Sequence, residues 1–404
     1  MRQTDVAIVG GGLAGSVAAA MLGRAGIDAT IIDPHEIYPP ELRCEKLDEE
    51  QTKILQRTGL ADLILPSTAR SDVIWIARFG HLLDKKPGVQ RGIMYETLVN
   101  AARAAIPASV PFVCAKVTGL STTRERQTVA LSNGEEISAR LVVLANGLNM
   151  ALGHSLALER EELSRSHSIT VGFDIRPVGR SAFDFPSLTY FAERSTDQAA
   201  FLTLFPVTGA MRANYCTYRK MDDPWLQWMR RSPREALLAA MPGLEKLTGE
   251  FEVMGTVKIR PADLYVTKGH VQAGVVLVGD AFSTSCPAAG TGAGKVLTDV
   301  ERLCNVYIPA WLATDGMDAD KIAGFYVDPV KWAYDEESLA RAFDLRSLST
   351  DPSLKWLALR WARFVARLGR GWVHRAPAAV RRQAAPVSEQ LRSRVAGKAK
   401  ILPR

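Results

Sequence analysis

Two stretches of this chain are almost bare of side chains, and each follows an apolar run. Residues 5–9 lead into Gly10-Gly11-Gly12-Leu13-Ala14-Gly15, and residues 275–278 lead into Gly279-Asp280 and then Pro287-Ala288-Ala289-Gly290-Thr291-Gly292. Loops of this kind supply no nucleophile. They let backbone N–H groups approach phosphates, and a helix that starts at the loop adds the partial positive charge of its N-terminus. In the first loop Gly10 suits the tight turn, Gly12 the approach of backbone to a pyrophosphate, and Gly15 the packing of helix on strand. Leu13 and Ala14 open that helix, which the alanine-rich residues 16–25 continue. A second apolar run, residues 29–32, ends at Asp33, where a carboxylate accepts hydrogen bonds from ribose hydroxyls. An acid there disfavours a ribose 2′-phosphate, so the dinucleotide expected is FAD or NAD rather than NADP.

The second loop decides between those two. Residues 275–278 read as a strand that delivers Gly279-Asp280 at its carboxyl end, where open α/β sheets bind ligands. Asp280 is then placed to accept hydrogen bonds from a ribityl chain. The run from Pro287 to Gly294 lets a flat ring lie against backbone, and a helix over residues 295–303 would point its N–H groups at the ring's N1 and C2 carbonyl. One loop for each end of a long cofactor makes FAD the expected ligand.

VAIVGGGLAG with Asp33, together with GDAFSTSCPAAGTGAG, resembles the flavoprotein monooxygenases of the para-hydroxybenzoate hydroxylase type, a superfamily that includes geranylgeranyl reductases and flavin-dependent halogenases. The likeness runs through roughly residues 1–305. It implies that Asp280 contacts the ribityl chain and that Pro287, Gly290, Thr291 and Gly292 lie against the isoalloxazine. It also implies an FAD contact for Arg91, which matches the arginine of an R-x-x-L-x-x-x-L-x-x-A helix. Arg43 and Lys46, in RCEKL, fall where the family places a loop and helix start beside the pyrophosphate and ring; Lys46 is the one weak catalytic candidate. The ordinary reading of the same stretch is a charged helix start.

Two positions depart from the family pattern. The middle signature, Asp-Gly followed by Ser and Arg, is here Asn146-Gly147-Leu148-Asn149, and Ser283 stands where GDAAH has histidine. The first departure weakens the case for direct reduction by NADH or NADPH, which the resemblance otherwise implies as electron donor.

These loops need a frame. The fold class expected is α/β: a Rossmann-type FAD-binding domain (residues 1–165 and 255–305), an inserted mixed or antiparallel β-sheet substrate domain (166–254), and a helical C-terminal region (306–404). Residues 168–176, 200–206 and 211–218 alternate like half-buried strands, with residues 207–210 as a hairpin turn. In the superfamily such a sheet roofs the flavin. Trp225 and Trp228 belong to a helix covering it, and no halogenase Trp-x-Trp-x-Ile-Pro signature occurs.

Composition bounds the remaining choices. A chain of 404 residues that is 47% hydrophobic has a real core, and no run of eighteen apolar residues suggests a membrane span. Five scattered cysteines (Cys44, Cys114, Cys216, Cys286, Cys304) without metal-ligand spacing suit reduced thiols in a cytoplasm. Cys286, beside the expected ring, reads as a small packed residue, and none of the six histidines stands out as a base. Of the net charge of +7, residues 351–404 supply +11, from thirteen Lys or Arg against Asp351 and Glu389, so the remainder carries −4. Basicity confined to a tail argues against nucleic acid as partner.

Within that tail, residues 354–370 read LKWLALRWARFVARLGR. Leu354, Leu357, Trp361, Phe364, Val365 and Leu368 share an arc of about 100°. The expectation is that this stripe packs on the body and leaves the arginines solvated. The alternatives are an anionic membrane surface, which would make the protein peripheral to the inner membrane face, or an acidic carrier protein. Residues 376–404 read as partly disordered.

The activity these features imply is an FAD-dependent monooxygenase that hydroxylates an aromatic or polyketide-like small molecule with dioxygen, through a flavin C4a-hydroperoxide. The alternative is a flavin-dependent reductase acting on a C=C bond of an isoprenoid or lipid. No metal site is expected.

Overall fold

Apolar patterns of two kinds sort the chain into two sheets. The computed structural model describes residues 2–43 and 45–375, except for the side chains of 373–375. The segment expected to be disordered, 376–404, lies outside the described residues.

In the first sheet the strand Arg2–Val9 is central. Ala29–Asp33 and then Phe112–Cys114 lie on one side and Glu136–Leu144 on the other, all parallel. Val275–Leu277 joins the far edge of Glu136–Leu144, also parallel, and two antiparallel strands complete the sheet. Parallel strands covered on both faces are apolar throughout; Val6, Ala7, Ile8, Ala29 and Ile31 have no exposed surface. The helix Leu13–Arg24 packs closely because it is alanine-rich, and every residue from Leu13 to Leu22 is buried.

The second sheet has eight strands and a period of two. Glu159–Pro177 lies between Phe251–Lys268 and Ala210–Thr217, followed by Ala199–Val207 and Leu188–Phe191. Ile169, Val171, Phe173 and Ile175 face a core with the helices Pro224–Arg231 and Pro233–Ala240, while Ser168, Thr170, Gly172 and Asp174 face the other way. Ala199–Val207 and Ala210–Thr217 form the expected hairpin. The sheet is wider than residues 166–254, because Ala69–Arg78, His81–Gly92 and Lys46–Leu47 extend it beyond Leu188–Phe191. Trp225 is buried in this core, and Trp228 stays 42% exposed.

Helix Pro329–Thr350 packs on helix Gly292–Arg302, and helix Leu354–Arg375 lies against the strand His81–Gly92. This last helix is rotated from the expectation, so that only one edge of the stripe, Phe364 with Trp361 beside it, reaches the body at Phe79. Leu354, Val365 and Trp372 are 83%, 62% and 74% exposed, and Leu357, Trp361 and Leu368 are exposed as well. Phe364, Arg367 and Gly371 face the body instead. Gly371 sets the rotation: a Cβ there would stand 1.7 Å from the Leu83 carbonyl oxygen, so backbone meets backbone at that point. Among the described residues no helix is long and apolar enough to cross a membrane.

Candidate active site

Strand register brings the two glycine loops together. Val9 pairs with Leu144, and Leu144 pairs with Leu277. Gly10, Ala145 and Val278 therefore leave the sheet side by side at its carboxyl edge. Gly10 (φ +105°) donates its N–H to the Ile32 carbonyl at 2.8 Å, and a Cβ on it would lie 2.5 Å from the Ala145 oxygen. A Cβ on Gly15 would lie 1.8 Å from the Gly10 oxygen, so helix and strand touch there. At Gly12 a Cβ would meet nothing within 4 Å. The loop is thus tight where it holds itself and open where a pyrophosphate would lie, above the first N–H groups of the helix Leu13–Arg24, Leu13 and Ala14 among them. Gly279 (φ +59°) closes the other side, 3.7 Å from the Ala14 Cβ measured from its own ideal Cβ.

Asp33 is buried at the end of its strand. Its carboxylate accepts from the Gly11 N–H at 2.7 Å and the His35 N–H at 2.9 Å. Arg103, near the end of helix Tyr95–Ala104, pairs with Asp33 at 3.2 Å and donates from Nε and Nη2 to the Gly11 oxygen at 2.9 and 2.7 Å. Sequence reasoning missed Arg103, because the pattern it followed leads to Arg91. Arg91 ends the strand His81–Gly92 and precedes the helix rather than belonging to it. Its Nη1 donates to Thr68 Oγ1 at 3.2 Å, and its Nε is buried without a partner.

Arg43 and Asp280, 237 residues apart, form an ion pair at 2.5 Å. Arg43 also bonds Glu41 at 2.8 Å, and Arg260 reaches Glu41 at 2.5 Å. Burial disfavours the Arg43 charge, but Asp280, Tyr95 and Glu41 outweigh it and raise its pKa. Burial likewise opposes ionisation of Glu41, and the Arg43 charge with bonds from Tyr38 and Arg260 lowers its pKa to about 2. Beneath this chain the Gly279 N–H donates to Asp299 at 2.9 Å, and Asp299 binds Lys331 at 2.9 Å and Lys295 at 3.4 Å, all three buried. The rest of the second loop is held from outside. Gly290, at φ +71° after the turn Pro287–Ala289, accepts from Gln51 Nε2 at 2.6 Å, and Thr291 Oγ1 meets Ser338 Oγ at 2.6 Å. Gly292 starts the helix Gly292–Arg302.

The second sheet presents its polar face to this loop. Cys216, Tyr218 and Leu264 pack with Cys286 and Ala288. Pairings of Thr170 with Cys216, Gly172 with Asn214 and Thr203 with Asn214 put these residues on one face. Asn214 Oδ1 is buried there without a hydrogen-bond partner, while Thr170 lies against Cys216 and Tyr218 against Ser349. Lys46 lies at the edge, its Nζ 5.5 Å from the centre of the Phe205 ring. Its neighbour Glu45 is buried and accepts from Arg212 Nε and Nη2 at 2.7 and 2.9 Å, while Arg212 Nη1 reaches Asp174 at 3.1 Å. Burial pushes the Glu45 carboxyl up against the pull of Arg212. Sequence reasoning passed over Glu45, Arg212 and Asn214; Arg212 and Asn214 leave only a charge and an amide at one parity of the strand Ala210–Thr217, and Glu45 just precedes the strand Lys46–Leu47.

Cys286 is fully buried, 3.3 Å from Ser168 Oγ, and burial raises its pKa. Burial also pushes the Cys216 thiol up to about 12. Iodoacetamide at pH 8 is therefore expected to alkylate exposed Cys114 in the native protein and to spare Cys216, Cys286 and Cys304 until denaturant is added. Peptide mapping by mass spectrometry checks this. His167 is buried with both ring nitrogens in hydrogen-bond contact, to Ser164 Oγ and the Ala342 carbonyl, and is structural. Among the described residues no group of three His, Cys, Asp or Glu side chains is placed to hold a metal.

A parallel sheet with two glycine loops at its carboxyl edge and a second sheet facing them defines an FAD-dependent oxidoreductase. The chain belongs to the FAD binding domain family, whose pattern matches residues 3–308, and to its superfamily of flavoprotein monooxygenases. It is 24% identical over 372 residues to 3-amino-4-hydroxybenzoate 2-monooxygenase of Streptomyces platensis, which covers 87% of this chain and 88% of that one. It is 26% identical over 338 residues to 3-demethoxyubiquinol 3-hydroxylase of Escherichia coli K12, covering 76% and 81% of the two chains. The crystal structure of p-nitrophenol 4-monooxygenase from Pseudomonas putida DLL-E4 shares the fold with a TM-score of 0.72 at 16% identity, over 92% of this chain and 95% of that one.

Proposed function

We propose that this enzyme hydroxylates an aromatic small molecule held between the second glycine loop and the polar face of the second sheet. The observation that carries the reading is Asn214 Oδ1, buried without a hydrogen-bond partner on the polar face that Thr170, Cys216 and Tyr218 share and that turns to that loop. Buried polar groups without partners cost stability unless something binds them. A hydroxyl or amino substituent on an aromatic ring would supply the missing donor. When bound, FAD supplies the activation of dioxygen and the transfer of one oxygen atom. Gly12 with the helix start beyond it would hold its pyrophosphate, Asp33 the adenosine ribose, Asp280 the ribityl chain, and Pro287 to Gly292 the ring. Arg43, paired with Asp280, positions it. Packing of the second sheet on the loop excludes water from the reacting face.

The electron donor is proposed to be NADH or NADPH, without the acid and arginine that the family carries near Asn146-Gly147. The exposed stripe of the helix Leu354–Arg375, within a segment (351–404) that holds thirteen basic residues, suits an anionic membrane surface as a place of attachment. Sedimentation with phosphatidylglycerol vesicles but not with phosphatidylcholine vesicles is the expected result for that attachment.

The test of the reaction is oxygen consumption by the FAD-loaded enzyme with NADH or NADPH, across a panel of phenols that includes 3-amino-4-hydroxybenzoate and 4-nitrophenol. At least one phenol is expected to stimulate oxygen uptake and to appear as product with one added oxygen. Stimulation without any oxygenated product would refute hydroxylation.

A further inference from the structure

A surface groove lies outside both glycine loops, sharing Ala200 and Leu345 with the cluster that packs on Cys286 and Ala288. Half-open to solvent, it offers about 420 Å³ between the helices Pro329–Thr350 and Leu354–Arg375 and the ends of the strands Ala69–Arg78 and Leu188–Phe191. None of its lining residues belongs to either glycine loop or to the Lys46 segment. Its size suits a small organic molecule. Phe79, Phe191 and Trp361 give it flat apolar walls, and Phe79 and Trp361 stack with their ring centres 6.5 Å apart.

The charge around this space is of one sign. Arg78, Arg194, Arg360, Arg363 and Arg367 line it against a single carboxylate, Glu193. Arg194 is matched by Asp197 at 2.9 Å. Glu193 is held by the Tyr190 hydroxyl at 2.5 Å and the Gly243 N–H at 2.8 Å. Arg78 donates from Nε to the Ala192 carbonyl at 2.8 Å, and Arg360 donates to the Leu348 and Asp351 carbonyls at 3.1 and 2.9 Å. Arg363 and Arg367 make no hydrogen bond or ion pair among the described residues. Arg367 is half-buried over Phe191, its guanidinium carbon 3.8 Å from the ring centre. Burial, with the like charges of Arg363, Arg370 and Arg78, draws its pKa down to about 10.

Arg367, half-buried over an aromatic wall with Arg363 beside it and neither matched by a counter-ion, costs the fold stability, and an anion between them would offset that cost. We propose that this groove binds an aromatic anion, its ring against Phe191 and Trp361 and its charged group among Arg367, Arg363 and Arg78. The ligand class is a carboxylate or phosphate on a flat apolar body. Such a ligand would also fasten the helix Leu354–Arg375 to the body, because it bridges Arg367 and Trp361 of that helix to Arg78 and Phe191 of the sheet.

The test uses the full-length FAD-loaded protein, with binding read by calorimetry and by quenching of tryptophan fluorescence. The probes are 2-naphthoate, 2-naphthyl phosphate and the uncharged 2-naphthamide. One or both anions are expected to bind saturably, and Arg367→Met and Arg363→Met are each expected to weaken them by about tenfold or more, the loss of a charge-assisted hydrogen bond. The amide is expected to bind about tenfold more weakly than the anions and to be indifferent to both variants. Trp361→Phe should remove most of the quenching, and the flavin absorption spectrum should not shift. Arg363 is exposed, so its variant keeps the test informative if Arg367→Met does not fold. Absence of anion binding, or equal affinity for wild type and Arg363→Met with a shifted flavin spectrum, would overturn the proposal. Neither outcome depends on turnover, so failure of the hydroxylation reading would be seen separately.

Discussion

Gly12→Val is expected to fold with nearly wild-type thermal stability and yet to purify without flavin, with its affinity for FAD lowered by about a hundredfold or more, roughly 2.7 kcal/mol. Gly12 has φ −72°, a value any residue adopts, and no atom lies within 4 Å of the Cβ it would carry. A side chain there offends nothing in the protein. It offends only a ligand that needs the backbone bare, as a pyrophosphate at a helix start does. Gly15→Val is the contrasting case, because its Cβ would stand 1.8 Å from the Gly10 oxygen, and that variant is expected not to fold. Fluorescence titration of FAD with the deflavinated proteins, beside their melting curves, reads both effects. Stoichiometric FAD in Gly12→Val would mean that the pyrophosphate does not pass over this residue.

Arg212→Ala is expected to destabilise the holoprotein by about 3–5 kcal/mol, the range found when one partner of a buried ion pair is removed. Glu45 is 2% exposed and has both carboxylate oxygens on Arg212, so the variant strands a buried acid. The damage should reach the cofactor as well. Glu45 stands two residues after Arg43 and next to Lys46, so its bond to Arg212 ties the segment that carries Arg43 to the second sheet. Chemical denaturation measures the first effect, and FAD dissociation the second. The double variant Glu45→Gln with Arg212→Met should recover part of the loss, because no uncompensated charge remains. A loss below about 1 kcal/mol would show the pair to be solvated.

The parts of this site that can be read from the chain are those that depend on consecutive residues. Backbone can approach a ligand only where side chains are missing, and that need writes itself into Gly10 to Gly15 and Pro287 to Gly292 as composition. The strands of both sheets show for a similar reason, since burial on two faces or one sets the apolar pattern directly. Contacts between distant residues leave no such trace. Arg103 reaches Asp33 and Gly11 from another helix, and Arg212 reaches Glu45 across 167 positions; each alone is one more arginine among many. Arg91 shows the converse. It fits a helix pattern, but the chain is still pairing as a strand at Gly92 and turns helical only at Tyr95. The helix Leu354–Arg375 shows a third limit. Periodicity tells which residues share its apolar face, while the approach of Gly371 to Leu83 sets a rotation in which only the Phe364 edge of that face meets the body.

Hydrogen–deuterium exchange of the deflavinated protein, followed before and after addition of one equivalent of FAD, tests most directly whether the two bare loops serve a single cofactor. Residues 10–16 and residues 279–292 should both become protected, with the same dependence on FAD concentration. Protection of one stretch without the other, or of neither, would contradict the placement of FAD across the carboxyl edge of the sheet.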